Sequence, residues 1–128
     1  MDGRTRKMQS AGAKAPDFLA RYSATLIVIE GGAEGSEYTL DKASVSVGRG
    51  PDVDLEFPDD AMSRSHAAFE AHAQGLRVRD LGSTNGTFVN DRQVPAAELK
   101  HGDRVKIGEH CFQLVLDERP KQGRTFQV

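Results

Sequence analysis

Three short polar segments of the sequence combine glycine with side chains that donate hydrogen bonds. An arginine offers five N–H donors in a planar fork, and hydroxyl and amide side chains add more. A doubly charged phosphate ester accepts several charge-assisted hydrogen bonds at once. The segments are Gly48-Arg49, Ser63-Arg64-Ser65-His66 and Gly82-Ser83-Thr84-Asn85-Gly86-Thr87. If the fold brings them together, these segments predict a phosphate-binding site.

Each segment also has an ordinary structural explanation when it is taken alone. A Gly-Arg pair is common, and Ser63 to His66 immediately precede an apolar run, so they can simply lead into a strand. Ser83 to Thr87 have the composition of a turn. The order of the segments and the elements that position them therefore decide between the two explanations.

The positioning elements are predicted to be β-strands. From Thr25 onward, short aliphatic and β-branched runs are separated by turn residues roughly every 8 to 12 positions, which favours a sandwich or barrel. Val45 and Val47 alternate with serines, as a strand with one buried face requires. The predicted strands are 25–30, 37–40, 44–47, 54–57, 67–71, 76–80, 87–89, 104–107 and 111–116. We therefore predict an all-β, antiparallel sandwich or barrel in which the polar segments lie at strand ends.

Taken together, the segments resemble the pattern of the forkhead-associated (FHA) domain. That pattern is Gly-Arg, then Ser-x-x-His, then Thr-Asn-Gly-Thr followed by Asn, then Gly-Asp. The sequence supplies Gly48-Arg49, Ser63 to His66, Thr84 to Thr87 with Asn90, and Gly102-Asp103, and the likeness covers about residues 25–116. The resemblance implies a two-sheet antiparallel β-sandwich of about eleven strands, so further brief strands are expected near 93–94 and 108–109. It also implies a module that binds phosphothreonine peptides in signalling by Ser/Thr protein kinases.

The resemblance assigns a role to each matching residue. It implies that Arg49, Ser63 and Thr84 contact the phosphate, that Arg64 contacts the phosphate or the peptide beside it, and that Asn85 bonds the peptide backbone. The implied partner is a phosphothreonine-containing protein, such as a Ser/Thr kinase or one of its substrates. The residues expected to brace the loops are Gly48, His66, Gly86 and Asn90.

An enzyme is a rival interpretation that the sequence does not favour. It contains no Gly-x-Ser-x-Gly nucleophile elbow, no Walker lysine motif and no dinucleotide-binding glycine pattern. The four histidines fall on different predicted elements, without metal-ligand spacing. The one cysteine, Cys111, lies in an apolar run and is expected to be a small core residue. No catalytic residue, metal or cofactor is predicted.

A phosphate-independent scaffold, or a module that binds anions generally, remains the alternative. The formal net charge of the chain is -2, but residues 1–24 carry five basic and two acidic side chains, so the remainder is more acidic. An acidic domain lacks the positive field that attracts nucleic acids. Nucleic acid is therefore not an expected partner.

The composition divides the chain into three parts. We predict a flexible basic arm over residues 1–23, with one helical turn over 17–22, the FHA-like domain over 24–117, and a polar tail over 118–128. Thr5 lies between two arginines in the arm and is a candidate phosphorylation site that could dock into the chain's own site. No run approaches the ~20 apolar residues of a membrane span, and one cysteine fits a reducing compartment, so a cytoplasmic location is expected.

Overall fold

The computed structural model describes residues 17–119 as one short helix followed by eleven strands. The helix, α1, carries two apolar residues on its buried side, and several strands bury every second residue. The elements are α1 Asp17–Arg21, β1 Tyr22–Glu30, β2 Glu37–Thr39, β3 Ser44–Gly48, β4 Leu55–Glu56, β5 Ala67–Ala71, β6 Leu76–Asp80, β7 Thr87–Val89, β8 Arg92–Gln93, β9 Ala96–Leu99, β10 Arg104–Ile107 and β11 His110–Glu118.

The strands form two sheets, which confirms the predicted all-β sandwich. The six-stranded sheet has the order β2-β1-β11-β10-β7-β8, and the five-stranded sheet has the order β4-β3-β5-β6-β9. The paired strands are antiparallel with one exception, since β3 and β4 run parallel through Val47 opposite Leu55. The predicted two-sheet sandwich therefore includes one parallel pair, where β4 is added beside β3 at the edge of the five-stranded sheet.

The core lies between the two sheets. Leu26 and Phe112 of the six-stranded sheet are 0% exposed, as is Val78 of the five-stranded sheet, and Phe69 is 1% exposed. Burying an aliphatic or aromatic side chain of this size contributes roughly 1.5–3 kcal/mol. The alternation predicted for Val45 and Val47 is confirmed, since both are buried. This core holds the strand ends, and therefore the loops, in place.

Two details of the strand prediction are wrong. The segment 108–109 is the turn between β10 and β11, where Gly108 has a φ of +64°. The strand that was missed is β9, whose alanines and Glu98 do not favour β-structure. It forms because it pairs with β6, with Leu99 opposite Leu76, which is a tertiary effect. The brief strand expected near 93–94 is β8, one residue earlier.

The folded part of the chain begins before residue 24, where the predicted domain started. Phe18 and Leu19 of α1 are 6% and 3% exposed and belong to the core, so this part of the proposed arm packs on the domain. The helical turn predicted over 17–22 is present as α1, which ends at Arg21. At the other terminus β11 continues to Glu118, one residue past the predicted boundary. Thr5 and the rest of the arm lie outside the described residues.

The loops that carry the polar segments meet at one end of the sandwich. β3 ends at Gly48 and β6 ends at Asp80, whereas β5 begins at Ala67, so antiparallel pairing brings these strand ends together. We call this end the rim, formed by residues 48–50, 57–66 and 81–86. The opposite end, where β1 begins and β11 ends, carries α1. Within residues 17–119, no helix has the length and apolar character needed to cross a membrane.

Candidate functional site

The first part of the rim is a backbone pairing between residues 48–50 and the loop that leads into β5. The amide of Arg49 donates to the carbonyl of Ser63 at 3.0 Å, and the amide of Gly50 donates to the carbonyl of Arg64 at 3.1 Å. A Cβ atom on Gly48 would lie 2.7 Å from the carbonyl carbon of Arg64, so only glycine fits there. Arg49 and Arg64 therefore extend from adjacent segments that are locked together.

The side chain of Arg49 is anchored through one of its five donors. Its Nε donates to the carbonyl of Met62 at 3.0 Å, while the residue as a whole is exposed. The remaining four N–H donors are on the terminal nitrogens of the guanidinium group. Arg49 is thus oriented by the loop that carries Ser63 and still has the atoms that bind anions bidentately.

The second part of the rim joins two loops that are far apart in the sequence. The backbone amide of Thr84 donates to Oγ of Ser63 at 3.0 Å. The side-chain Nδ2 of Asn85 donates to the carbonyl of Ala61 at 2.8 Å. The structure therefore brings together all five of the residues predicted to contact a phosphopeptide. Thr84, Asn85 and Arg64 are exposed, and Ser63 is partly buried.

His66 connects these loops from the inside and is 0% exposed. Its Nδ1 accepts a hydrogen bond from the amide of Ser63 at 3.0 Å, so the ring hydrogen must be on Nε2, which donates to the carbonyl of Gly86 at 2.8 Å. Gly86 has a φ of +91°, a backbone conformation that is strained for any residue with a side chain. Both ring nitrogens of His66 are therefore engaged in hydrogen bonds within the protein, and the ring connects the loop at Ser63 to the loop at Gly86.

Residues 45–108, half of the chain, match the family described as the FHA domain. The chain belongs to the FHA domain family. GarA, the glycogen accumulation regulator of Mycobacterium tuberculosis, is 46% identical over 101 residues, which are 79% of this chain and 61% of that protein. The present chain therefore spans less than two thirds of the length of this relative.

Two solved structures show the same fold. One comes from an analysis of phosphothreonine-dependent FHA domain interactions; it has 32% identity, a TM-score of 0.68, and an alignment covering 77% of this chain and 99% of that one. The other is EmbR of Mycobacterium tuberculosis in complex with a low-affinity phosphopeptide. It has 27% identity and a TM-score of 0.70, and the alignment covers 89% of this chain and 28% of that one.

The loop between β6 and β7 of this FHA domain is shaped by Asp80, which sequence reasoning missed. Its Oδ2 accepts from the amides of Gly82 and Ser83, and its Oδ1 accepts from the hydroxyls of Ser83 at 2.6 Å and Thr87 at 2.7 Å. Burial alone would raise the pKa of Asp80, but these hydrogen bonds outweigh it and hold the pKa below its ordinary value. An aspartate two residues before a glycine is a local signal for such a turn.

Asn90 lies farther from the rim than the other predicted bracing residues. It has a φ of +49° in the turn between β7 and β8, its Nδ2 donates to Oδ1 of Asp103 at 3.0 Å, and its Oδ1 accepts from the amide of Arg104 at 3.0 Å. It therefore ties this turn to the start of β10, while the chain returns to the rim at Gln93. The side-chain contacts of Asn90 thus brace the turn between β7 and β8, and they are made to Asp103 and Arg104.

A second missed residue, Asp59, is buried below the rim together with His110. No local pattern links them, since they are 51 residues apart. Among residues 17–119, no group of three or more histidine, cysteine or carboxylate side chains is placed to hold a metal ion. The chemistry that the rim offers is that of its exposed hydrogen-bond donors, which suit an anion.

Proposed function

We propose that this FHA domain binds proteins that carry phosphothreonine, in signalling downstream of Ser/Thr protein kinases, and that it acts by binding without catalysis. The observation that carries the proposal is the hydrogen bond from the Thr84 amide to Ser63 Oγ, with Arg49 anchored to the adjacent Met62 carbonyl. Three loops thereby present arginine, hydroxyl and amide donors within one small area. This is the donor set that a phosphate dianion requires.

The charge of the chain requires this binding to be local. Outside residues 1–24 the sequence is acidic, so no broad positive field attracts a dianion. Direct hydrogen bonds from Arg49 and Arg64 act over a distance at which salt screens little, since the Debye length is about 8 Å at physiological ionic strength. The proposed affinity thus comes from the rim itself and not from the net charge.

Each rim residue has a distinct role in the proposed complex. The terminal nitrogens of Arg49 donate to the phosphate, and the hydroxyls of Ser63 and Thr84 donate beside them. Ser63 Oγ already accepts one hydrogen bond, and its own hydrogen remains available to donate. Arg64 bonds the phosphate or the peptide. Asn85 uses Nδ2 to hold Ala61, which leaves its Oδ1 to accept from a peptide amide.

The similar proteins support the same function. One solved relative is described through phosphothreonine-dependent interactions, another contains a bound phosphopeptide, and GarA is described as a regulator. We extend these descriptions to this chain as a proposal: it is a regulatory module whose partner is selected by phosphorylation, and it acts in the cytoplasm. The competing function is a phosphate-independent scaffold, which would bind phosphorylated and unmodified partners alike.

The deciding experiment begins with a phosphothreonine peptide library, from which the best-binding sequence is taken for calorimetry. The same peptide is then compared with phosphothreonine, phosphoserine and unmodified threonine. We expect binding of the phosphothreonine form, no measurable binding of the unmodified form, and a loss of about 1 to 3 kcal/mol for phosphoserine, because one methyl group is missing from the contact. Equal binding of the unmodified peptide would establish the scaffold function instead.

Arg49→Ala tests the site in the same assay. We expect it to weaken phosphopeptide binding by about 2 to 5 kcal/mol, the usual loss when one partner of a buried charge pair is removed. Arg77→Ala is the matched control, because Arg77 is 45% exposed on the outer face of the five-stranded sheet and pairs with Glu70 at 3.1 Å. An Arg49→Ala protein that binds like the parent would refute the proposed role of Arg49.

A further inference from the structure

The loop between β4 and β5 is held from below by a buried carboxylate. Asp59 is 5% exposed, and its side chain lies against His110 of β11, which is 7% exposed. The His110 ring packs against Phe57 with the ring centroids 4.9 Å apart. A buried carboxylate is costly unless every oxygen is paired, so a residue of this kind needs a structural or functional explanation.

Both carboxylate oxygens of Asp59 accept hydrogen bonds. Oδ1 accepts from the amide of Ala61 at 2.9 Å. Oδ2 accepts from the amide of Glu109 at 2.8 Å and from Nδ1 of His110 at 2.7 Å. A Cβ on Gly108 would lie 2.7 Å from Oδ2, so the turn between β10 and β11 closes tightly over this oxygen. Asp59 therefore connects the rim loop to a turn of the other sheet.

The residues that Asp59 holds are the ones that hold the site. Its side chain binds the amide of Ala61, and the Ala61 carbonyl accepts from Nδ2 of Asn85. Its backbone carbonyl accepts from the amide of Met62 at 3.0 Å, and the Met62 carbonyl accepts from Nε of Arg49. Two paths thus run from Asp59, each made of two hydrogen bonds joined by the backbone of one residue: the path from its side chain leads to Asn85, and the path from its backbone carbonyl leads to Arg49.

We propose that Asp59, held by His110 and by the turn between β10 and β11, is a positioning residue for phosphopeptide binding, acting through the carbonyls of Ala61 and Met62 on Asn85 and Arg49. This inference rests on the proposed function. It explains why an ionised group is retained in a buried position, because donors approach both oxygens. An asparagine offers only one acceptor oxygen and would leave at least one of these donors unpaired.

Asp59→Asn is the first test, and Asp103→Asn is its matched control. Asp103 is 7% exposed, and its two oxygens accept from Asn90 Nδ2 and from the amide of Lys100. Asp103 lies directly before β10, whereas the turn that covers Asp59 lies directly after β10, at the rim. Asp103→Asn therefore makes the same chemical change at a place away from the rim. We expect Asp59→Asn to weaken binding of the phosphothreonine peptide roughly 5- to 100-fold, the range for one unpaired buried donor. Asp103→Asn should leave the affinity within twofold of the parent.

A second measurement does not depend on the peptide. The NMR signals of Arg49 Nε–H and Asn85 Nδ2–H₂ report the two hydrogen bonds at the site. Both should shift in Asp59→Asn and stay unchanged in Asp103→Asn. Unchanged signals in a folded Asp59→Asn protein, or a parental affinity, would overturn the positioning role. If the signals shift but the parent and Arg49→Ala bind phosphopeptide equally poorly, the proposed function fails while the positioning of the rim stands.

His110→Phe covers the case in which Asp59→Asn does not fold. The phenylalanine keeps the ring beside Phe57, and Asp59 retains the two backbone amide donors of Ala61 and Glu109. Since one of three donors is removed, we expect smaller shifts of the same two signals and a smaller loss of affinity. Parental signals and affinity in folded His110→Phe would show that the pair does not position the site.

Discussion

The two ends of the sandwich are stabilised by different interactions, buried hydrogen bonds at the rim and apolar packing at the end that carries α1. At the rim, loops are held by buried polar groups, namely the His66 ring and the Asp59 carboxylate, which bridge segments distant in sequence. At the opposite end, α1 contributes Phe18 and Leu19 to the core, and Phe18 stacks on Tyr22 with the ring centroids 4.9 Å apart. Apolar burial stabilises without requiring exact geometry, whereas hydrogen bonds fix where each donor lies.

The end of the sandwich that carries α1, which we call the helix end, is also connected to both sheets by hydrogen bonds. Nε of Arg119 donates to the carbonyl of Leu19 at 2.9 Å at the end of β11, and Arg21 donates to the carbonyl of Ala73 at 3.2 Å in the turn between β5 and β6. The apolar packing of α1 and the hydrogen-bond donors of the rim therefore lie at opposite ends of the sandwich. Substitutions at the helix end should change the free energy of unfolding, and substitutions at the rim should change the affinity.

The largest expected effect is on stability, from Leu19→Ala. Leu19 is 3% exposed, and truncation of a buried leucine to alanine costs about 2 to 5 kcal/mol. Denaturant unfolding should show this loss, while calorimetry at a temperature where the protein is folded should give the parental phosphopeptide affinity. A clear change in affinity would break the comparison, because it would mean that the two ends are coupled.

Gly48→Ala should affect both properties. The added Cβ would collide with the Arg64 carbonyl, whose segment is fixed by the Gly50 amide, so we expect a loss of roughly 1 to 3 kcal/mol in stability, as for overpacking, together with weaker phosphopeptide binding. Gly75→Ala is the control, since its nearest neighbours would be 3.5 Å away, at ordinary contact distance, in the turn between β5 and β6. Parental stability and affinity in Gly48→Ala would show that the pairing of the rim segments is not tight.

The smallest expected effect is that of Asp80→Asn on the free energy of unfolding, and it is confined to acid pH. Burial raises the pKa of Asp80, but hydrogen bonds from Ser83, Thr87 and Gly82 outweigh it and leave the pKa lowered. A lowered folded-state pKa means that the stabilisation is present above the unfolded pKa, about 3.9, and is lost as the pH falls through the folded value. Asp80→Asn should therefore show a shallower loss of stability below about pH 4 than the parent.

Leu19→Ala provides the contrast for this titration, since an apolar truncation should lower stability by a similar amount across the same pH range. Unfolding free energies measured at a series of acid pH values would make the comparison. Other carboxylates with lowered pKa values, such as Glu70 beside Arg79, are unchanged in these variants and cancel in the difference. A parental pH slope in Asp80→Asn would show that the turn at Asp80 does not contribute to acid sensitivity.

Much of the fold could be predicted from local signals. The alternation of Val45 and Val47 predicted a half-buried strand, and the glycine and asparagine clusters predicted the turns. β9 was missed because its residues lack strand propensity and pair only when β6 is already in place. A helical turn was predicted over residues 17–22, but the domain was predicted to start only at residue 24. A helix of five residues is too short to show the apolar periodicity that would indicate the burial of Phe18 and Leu19.

For the site, the sequence by itself determined the donor groups, because Gly48-Arg49, Ser63 to His66 and Thr84 to Thr87 carry their chemistry in their side chains and in their order. Only the tertiary structure decided that Ser63 Oγ meets the Thr84 amide, and that Asp59 supports the loop through Glu109 and His110. The physical reason is that such contacts join residues with a sequence separation of 21 to 51 positions, and no local pattern encodes them. They exist because two sheets pack against each other and bring their strand ends to one rim.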